Sequence, residues 1–279
     1  MIDFSTLTPK EWETVEKEEH DMQYENSFPF HFKNYKIDPQ QVIWWQDYCY
    51  KKGRRKDRGH KAKRLFELMD LNQLKGKKIL DVGCGNGQYS VFFALLGAEA
   101  YGFDISPVGV QVARKMAEAN GVSQHCHFSV QNASHMDFPD EFFDIVLYYE
   151  VLHHAIKYPN IKEETYRVVK NGGKVFCVEG LEGNIFFKIG RFFTMHGQET
   201  KGDVELTISD FQAFAEGCAN YRLELMSLFF MSKRIFRAYM NAAPVRWLLF
   251  LMKKADDIVL SLFPFLRRYC GECILVMEK

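Results

Sequence analysis

A short apolar segment that runs directly into a glycine-rich loop constrains the fold of this chain more than any other feature. Residues 78–82 (Lys-Ile-Leu-Asp-Val) predict a buried strand, residues 83–87 contain three glycines, and residues 88–96 predict a helix. Glycine lets a backbone turn tightly and approach a ligand closely, and the first turn of a helix offers N–H groups with no partner inside the helix. The order strand, glycine loop, helix therefore predicts a ligand-binding turn.

The alternation of strands and helices continues to about residue 180. Further strands are predicted at 98–103, 125–130, 143–148 and 174–178, and further helices at 106–120 and 159–169. Strands alternating with helices of this length indicate right-handed βαβ units and a parallel sheet. The fold class is therefore predicted as α/β, with a doubly wound, Rossmann-like sheet.

Charge, hydropathy and cysteine content narrow the class of protein. The 279 residues carry 36 basic and 36 acidic side chains, which argues against a strongly basic nucleic-acid-binding protein. The chain has no apolar run of the ~18 residues that a transmembrane helix needs and no secretory signal at its N-terminus. Seven cysteines, an odd number found mostly in apolar contexts, indicate reduced thiols. We therefore expect a cytoplasmic location.

Two classes of ligand compete for the glycine loop. A dinucleotide site normally has a third glycine for close helix–strand packing, where this chain has Gln88. Asp81, within the strand, would lie unfavourably close to a pyrophosphate but suits a ligand with a cationic amine. Asp104 ends the next predicted strand, 21 positions after Gly83. A carboxylate in that place can accept hydrogen bonds from both hydroxyls of a ribose.

Segment 80–87 (Leu-Asp-Val-Gly-Cys-Gly-Asn-Gly) resembles the first motif of class I S-adenosylmethionine-dependent methyltransferases. Further segments resemble later motifs of the family in the same order: 103–107, 131–133, 138–146, 150–154 and 168–174. The resemblance covers residues 76–180 and points to the ubiquinone/menaquinone-biosynthesis-like branch, whose members methylate many small molecules. It implies a seven-stranded sheet, S-adenosyl-L-methionine as cofactor and S-adenosyl-L-homocysteine as product.

The resemblance also implies which residues hold the cofactor. Asn132 stands where the family usually has Asp; its side-chain oxygen could accept from the adenine amino group, but Asn also caps turns. Tyr148 and Tyr149 are expected to line the pocket; the alternative is that they pack in the core. The complete predicted cofactor set is Asp81, Gly83, Gly85, Gly87, Asp104, Ile105, Asn132, Ala133 and Tyr149.

Two adjacent histidines are the catalytic candidates. Methyl transfer from a sulfonium is an in-line displacement, so a protein contributes mainly by aligning donor and acceptor. An oxygen acceptor must also lose a proton, and histidine suits that task because its pKa is near neutral. His153 and His154 follow the fourth strand at its carboxyl end, where ligands bind in open α/β sheets. Adjacent residues point to different faces, so we favour one of them, His154; the alternative is that both cap or pack the next helix.

The sequence does not decide which class of molecule accepts the methyl group. An oxygen on a sugar, a lipid-linked molecule or a secondary metabolite is favoured. The alternatives are carbon or nitrogen methylation of a quinone-like ring or an amine, and a catalytically silent scaffold that only binds the cofactor. Release of S-adenosylhomocysteine would separate an enzyme from a scaffold.

Two further clusters have weaker functional interpretations. Cys270 and Cys273 form a single C-x-x-C without a second pair at zinc-ligand spacing, so no metal site is predicted. Residues 51–64 carry nine Lys or Arg. They are predicted as a solvated helix end and loop, with an anion site for a substrate or the cofactor carboxylate as the alternative. RNA binding is a third interpretation, which zero net charge disfavours.

The resemblance divides the chain into a helical extension or cap (1–75), an S-adenosylmethionine-binding core (76–180) and a part that completes the sheet and covers the substrate (181–279). The extension is predicted to contain helices at about 38–51 and 60–71. Residues 184–206, which are rich in Phe, are predicted to cover the substrate, and Thr207 begins a helix with a capping box.

Strands at 221–231 and 273–277 are predicted to form the antiparallel pair that ends the sheet. A helical insertion at 232–268 separates them and combines large apolar side chains with bases. It has two interpretations: a lid that packs Trp247 and Phe250 over the acceptor pocket, or an interfacial helix that makes peripheral contact with a membrane.

Overall fold

The protein is described by a computed structural model that covers residues 8–31, 36–39, 59–186, 188–189, 204–236, 239 and 242–279. Its α-helices are α1 (Pro9–His31), α2 (Gly59–Met69), α3 (Gln88–Leu95), α4 (Pro107–Ala119), α5 (Leu152–Ala155), α6 (Ile161–Val168), α7 (Ile208–Ala215) and α8 (Ala243–Leu262). Its strands are β1 (Lys78–Val82), β2 (Glu99–Asp104), β3 (Cys126–Val130), β4 (Phe143–Tyr149), β5 (Val169–Gly180), β6 (Asn220–Met226) and β7 (Glu272–Glu278).

The seven strands form one sheet in the order β3-β2-β1-β4-β5-β7-β6. Strands β1 to β5 are parallel to their neighbours, whereas β7 is antiparallel to both β5 and β6. The chain crosses from one half of the sheet to the other between β3 and β4, so the carboxyl ends of β1 and β4 border the crevice where doubly wound sheets bind ligands. The predicted α/β class and seven-stranded Rossmann-like sheet are confirmed.

Strand β1 is buried on both faces because helices cover both sides of the parallel sheet. Ile79 packs on one side with Phe92 and Phe93 of α3, while Leu80 packs on the other with Phe143 of β4. Since successive side chains of a strand point to opposite faces, one short apolar run contributes to both halves of the core. The glycine loop therefore follows a strand that is buried on both faces.

The predicted strand over 221–231 is wrong at its C-terminal end, because β6 stops at Met226. Ser227 has a left-handed backbone (φ 67°), which ends the extended conformation. The carboxylate of Asp256 then accepts the backbone N–H groups of Leu228, Phe229 and Phe230 at 2.7–3.1 Å. Residues 230–234 consequently form a short 3₁₀ helix instead of strand.

The remaining predictions of secondary structure are confirmed in one case and lie mostly outside the described residues in two others. The capping box at Thr207 is present, with Asp210 accepting from the Thr207 backbone N–H at 2.7 Å. The predicted helix at 38–51 lies outside the described residues except for 38–39, as does most of the predicted substrate cover at 184–206. In the described part of the chain, no helix is both long and apolar enough to cross a membrane.

Candidate functional site

The glycine loop between β1 and α3 is held in a conformation that other residues rarely adopt. Gly83, Gly85 and Gly87 have φ of 62°, 52° and 71°. A Cβ atom at Gly83 would clash with the side chain of Val151, and one at Gly87 would lie 2.6 Å from the Cβ of Ala113. The three positions therefore require glycine both for backbone conformation and for close packing.

Asp104, at the carboxyl end of β2, holds the loop in place. Its Oδ2 accepts the backbone N–H of Gly85 at 2.8 Å, and its Oδ1 accepts that of Ser106 at 2.9 Å. The side chain is buried, and burial raises the pKa of its carboxyl. A carboxylate has about four lone-pair positions, so each oxygen retains capacity to accept a further hydrogen bond.

Asp81 is the second buried carboxyl of the site. Its Oδ2 accepts the Ser90 hydroxyl at 2.7 Å. Burial, with a smaller contribution from the charge of Asp104, raises the pKa of Asp81 to about 7. A cationic ligand beside Asp81 would favour its ionised form and so offset the effects of burial and of the Asp104 charge. The cradle therefore fits a ligand with a cationic end and vicinal hydroxyls, and S-adenosylmethionine is such a ligand.

The remaining predicted cofactor residues differ in their surroundings. The side-chain oxygen of Asn132 accepts the backbone N–H of Ser134 at 2.9 Å, which is the turn-capping role left open by the sequence, and its amide donates to Glu13 at 3.0 Å. Ala133 is buried next to it, and Ile105 is half-buried directly after Asp104.

The two tyrosines at the end of β4 are both buried. The Tyr148 hydroxyl lies 2.6 Å from that of Thr165 inside the core, so Tyr148 is a packing residue and not a pocket wall. The ring of Tyr149 lies 4.3 Å from that of Tyr89 in α3, on the other side of the sheet from Tyr148. A contact of Tyr149 with the cofactor stays a prediction.

His153 and His154 lie in α5, and their rings are 4.1 Å apart. Nδ1 of His153 lies 2.9 Å from Oε2 of Glu179, which is near the carboxyl end of β5. The other oxygen of Glu179 accepts the backbone N–H of Leu152 at 2.6 Å, so two contacts fix this buried carboxylate. His154 instead faces α1, with Nδ1 3.5 Å from Oε1 of Glu16 and its ring 5.2 Å from that of His20.

Comparison with known proteins agrees with this geometry. The family described as "Methyltransferase domain" matches residues 80–177, which run from β1 through β5. Residues 80–177 are a methyltransferase domain. The match includes the glycine loop, Asp104 and both histidines.

Named relatives of the methyltransferase domain have different acceptors. A demethylmenaquinone methyltransferase of Anoxybacillus flavithermus is 35% identical over 123 residues, 43% of this chain and 52% of the relative. A ubiquinone biosynthesis O-methyltransferase of Pseudomonas putida is 34% identical over 128 residues, 43% of this chain and 55% of the relative. The chain thus spans about half the length of the curated relatives it matches.

Solved structures show the same fold at low identity. Phosphoethanolamine N-methyltransferase 2 of Haemonchus contortus superposes with a TM-score of 0.58 at 19% identity, covering 85% of this chain and 56% of the other. That structure contains phosphomonomethylethanolamine and S-adenosylhomocysteine. A likeness at this identity establishes the fold of the methyltransferase domain alone.

Helix α1 lies over the glycine loop of the methyltransferase domain; the sequence predicted an N-terminal helical cap but no helix at this place in the chain. Tyr24 occupies the space beside Gly85 and would clash with a Cβ atom there. Asp21 accepts a hydrogen bond from the Ser106 hydroxyl at the start of α4. Glu16 accepts from Lys157 and from the Tyr158 hydroxyl, both at 2.5 Å. The only signal in the sequence is the excess of acids in residues 1–21.

A largely buried ionic cluster lies near Glu179, the partner of His153, and the sequence did not predict it either. Lys61 of α2 pairs with Glu150, which follows β4 with a left-handed backbone (φ 53°), and lies 3.7 Å from Glu272. Lys233 contacts the same Glu272 oxygen at 2.7 Å. Burial opposes the charge of Lys61, but Glu150 and Glu272 outweigh it and raise the pKa of its ammonium. Burial likewise opposes the charge of Glu272, but Lys233 and Lys61 hold its pKa at about 2.

The ion pairs contradict part of the prediction that residues 51–64 are a solvated helix end and loop. Residues 51–58 lie outside the described residues. Lys61 is 1% exposed and Arg64 binds Glu224 through two nitrogens at 2.7 Å, so these bases form ion pairs and are not a solvated helix end. The helical spacing of Lys61 with Leu65 and Met69, both buried, is the signal that could have indicated this.

The two cysteines of the C-x-x-C are buried, and Cys270 and Cys273 are free thiols. Burial raises the pKa of Cys270 to about 12, which disfavours the reactive thiolate. Over the residues that the structure describes, no three His, Cys, Asp or Glu side chains come together in a group that could hold a metal ion.

Proposed function

We propose that this protein transfers a methyl group from S-adenosylmethionine to an oxygen atom of a small-molecule acceptor. The observation that carries the proposal is the contact of 2.9 Å between Nδ1 of His153 and the buried carboxylate of Glu179. A carboxylate only accepts hydrogen bonds, so Nδ1 carries the proton and Nε2 is the basic nitrogen. Nucleophile activation by an oriented histidine is what an oxygen acceptor requires.

The glycine loop and the two buried aspartates would hold the cofactor. Asp81 would face the cationic amine, Asp104 would accept from the ribose hydroxyls, and the N–H groups at the start of α3 would face the loop ligand. When bound, S-adenosylmethionine supplies an electrophilic methyl group on a sulfonium that departs as a neutral thioether. The protein therefore needs no acid for the leaving group, and its residues act on the acceptor alone.

His153 is the proposed general base, in place of the His154 that the sequence favoured. It is 23% exposed, whereas His154 is 14% exposed and lies beneath α1 next to Glu16 and His20. In the proposed step, Nε2 of His153 would take the proton of the acceptor hydroxyl, so that the acceptor oxygen becomes the nucleophile for the methyl group that S-adenosylmethionine would supply. Glu179 then stabilises the imidazolium through Nδ1, which makes Glu179 a positioning residue.

The Pseudomonas putida relative supports an oxygen acceptor, because its name describes an O-methyltransferase. The Anoxybacillus flavithermus relative is named for demethylmenaquinone, and the Haemonchus contortus enzyme is an N-methyltransferase. Similarity alone therefore does not select the acceptor atom. The His153–Glu179 pair does favour oxygen, since an amine that is already neutral needs no general base.

The test is the release of S-adenosylhomocysteine in the presence of a panel of phenols, sugars, quinols and amines. With the best hydroxyl acceptor, we expect His153→Ala to lower kcat by about 10²-fold or more while leaving the affinity for S-adenosylhomocysteine unchanged in calorimetry. Glu179→Gln should reduce kcat less and shift the pH–rate profile.

His125→Ala is the matched control. His125 also contacts a glutamate, Glu99, at 2.7 Å, but it lies before β3 and its side chain is 44% exposed. It should retain the wild-type rate. An unaltered rate for His153→Ala would refute the general-base role, and binding without turnover on every acceptor would favour the scaffold alternative.

A further inference from the structure

Helix α8, in the insertion before β7, is fixed to the body of the protein by one face. Leu249 packs with Phe230, and Leu260 packs with Leu228 and Cys270. Asp256, on the same face, accepts the three backbone N–H groups that follow β6. This inner face is the side by which a surface helix normally packs on the core of a protein.

The opposite face of α8 is apolar as well. The outer face consists of Trp247, Leu251, Ile258 and Leu262, which are 66%, 40%, 60% and 68% exposed. At 3.6 residues per turn these four positions lie within about 60° of one another and point away from the inner face. The lid that the sequence left open would hide Trp247 and Phe250, yet Phe250 is 55% exposed too. The helix therefore offers a second apolar surface to something outside the described fold.

The outer face continues into the segment that follows α8. Phe263 is 49% exposed and Phe265 64% exposed, and both precede β7 closely in the chain. Aromatic side chains present about 150–250 Å² each, so Trp247, Phe250, Phe263 and Phe265 together contribute on the order of 400–500 Å². The largest apolar patch of a typical monomer is about 300–600 Å² and is often functional.

Bases surround this apolar surface. Arg246, Lys254, Arg267 and Arg268 are exposed around it, and the ammonium of Lys254 lies 5.9 Å from the ring centre of Phe250. Residues 242–269 contain only two acids, and one of them, Asp256, is buried under three N–H donors. The exposed charge of the surface is therefore positive.

We propose that the outer face of α8 and the segment 263–269 form a binding surface for a bilayer that contains anionic lipid. The apolar side chains would enter the boundary between headgroups and acyl chains, and the four bases would contact anionic headgroups. A symmetric contact between two copies of this chain is disfavoured, because it would bring the two sets of bases together. The proposal is independent of the methyl acceptor and of the chemistry at His153.

The surface also has a position that suits a membrane-bound acceptor. The inner face of α8 packs on residues 230–234, and Lys233 of that segment pairs with Glu272, which lies opposite Gly180 at the carboxyl end of β5. Binding through the outer face would therefore bring the acceptor end of the sheet close to the bilayer.

The experiment is flotation of the full chain with vesicles of phosphatidylcholine and phosphatidylglycerol at low salt. We expect the wild type to float, and to float much less with pure phosphatidylcholine or at high salt. The double variant Trp247→Ser/Ile258→Ser should lose about tenfold or more in partition coefficient, from the apolar area removed. Arg246→Gln/Lys254→Gln should lose about fivefold for each base. The matched control is Tyr221→Ser, which removes an exposed apolar side chain on edge strand β6 and should float like the wild type.

Circular dichroism and binding of S-adenosylhomocysteine establish that each variant is folded, since none of these residues lies in the methyltransferase domain. A wild type that stays in solution with anionic vesicles, or a Trp247→Ser/Ile258→Ser variant that floats as well as the wild type, would overturn the proposal. Sedimentation without lipid tests whether the surface instead binds a second copy of this chain. A wild-type dimer that dissociates in the Trp247→Ser/Ile258→Ser variant would likewise overturn the membrane proposal.

Discussion

Asp81→Asn should stabilise the cofactor-free protein while weakening its affinity for the cofactor. Burial raises the pKa of Asp81 from an ordinary value of 3.8 to about 7. Because a tenfold change in proton affinity corresponds to about 1.4 kcal/mol, the ionised carboxylate costs at most about 4 kcal/mol of folding free energy. Asn has nearly the same shape and can still accept the Ser90 hydroxyl, which lies 2.7 Å from the carboxylate.

The pH dependence of this difference in stability follows from the raised pKa of Asp81. Between about pH 4 and pH 7 the unfolded chain has lost this proton while the folded protein keeps it, so the wild type loses stability as pH rises through that interval. The advantage of Asp81→Asn in the free energy of unfolding should therefore be near zero at pH 4 and reach about 1–3 kcal/mol at pH 8, after allowance for local relaxation.

Urea unfolding of the wild type and variant at pH 4, 6 and 8 measures this difference. Asp137→Asn, at an exposed aspartate just beyond β3, is the control and should show no such trend. Calorimetry with S-adenosylhomocysteine should show about 10-fold to 100-fold weaker binding to Asp81→Asn, the value of a hydrogen bond to a charged group. A variant less stable than the wild type at pH 8, or an equal gain at every pH, would show that Asp81 is not a destabilised carboxylate.

Two further predictions concern buried charges. Asp104→Ala should weaken the binding of S-adenosylhomocysteine by about 10-fold or more in calorimetry; equal affinity in a folded variant would remove Asp104 from the ribose site. Lys61→Met should lower the free energy of unfolding by about 3–5 kcal/mol because buried Glu272 and half-buried Glu150 keep their charges with less compensation. Lys63→Met, at an exposed lysine two positions away, should change it by less than about 0.5 kcal/mol, and similar losses for both would contradict the buried pairing.

The sequence alone predicted the five parallel strands, their order and the glycine loop, because these depend on residues close together in the chain. An apolar run followed by glycines predicts β1 and the loop, and the loop adopts the left-handed φ values that glycine permits. Asp104 was predictable because its place at the end of β2 follows from the parallel topology, which brings the carboxyl ends of β1 and β2 together.

Only the tertiary structure decided which distant side chains meet. Lys61 and Glu150 are 89 residues apart, and His153 and Glu179 are 26 apart, so no local pattern pairs them. The choice between His153 and His154 depends on what packs against each ring, Glu179 of β5 for one and Glu16 of α1 for the other. Likewise, β6 ends at Met226 because Asp256 of α8 takes the N–H groups that would otherwise continue the strand. Buried charges and backbone N–H groups must find partners when water is excluded, and which partners are within reach is fixed by packing.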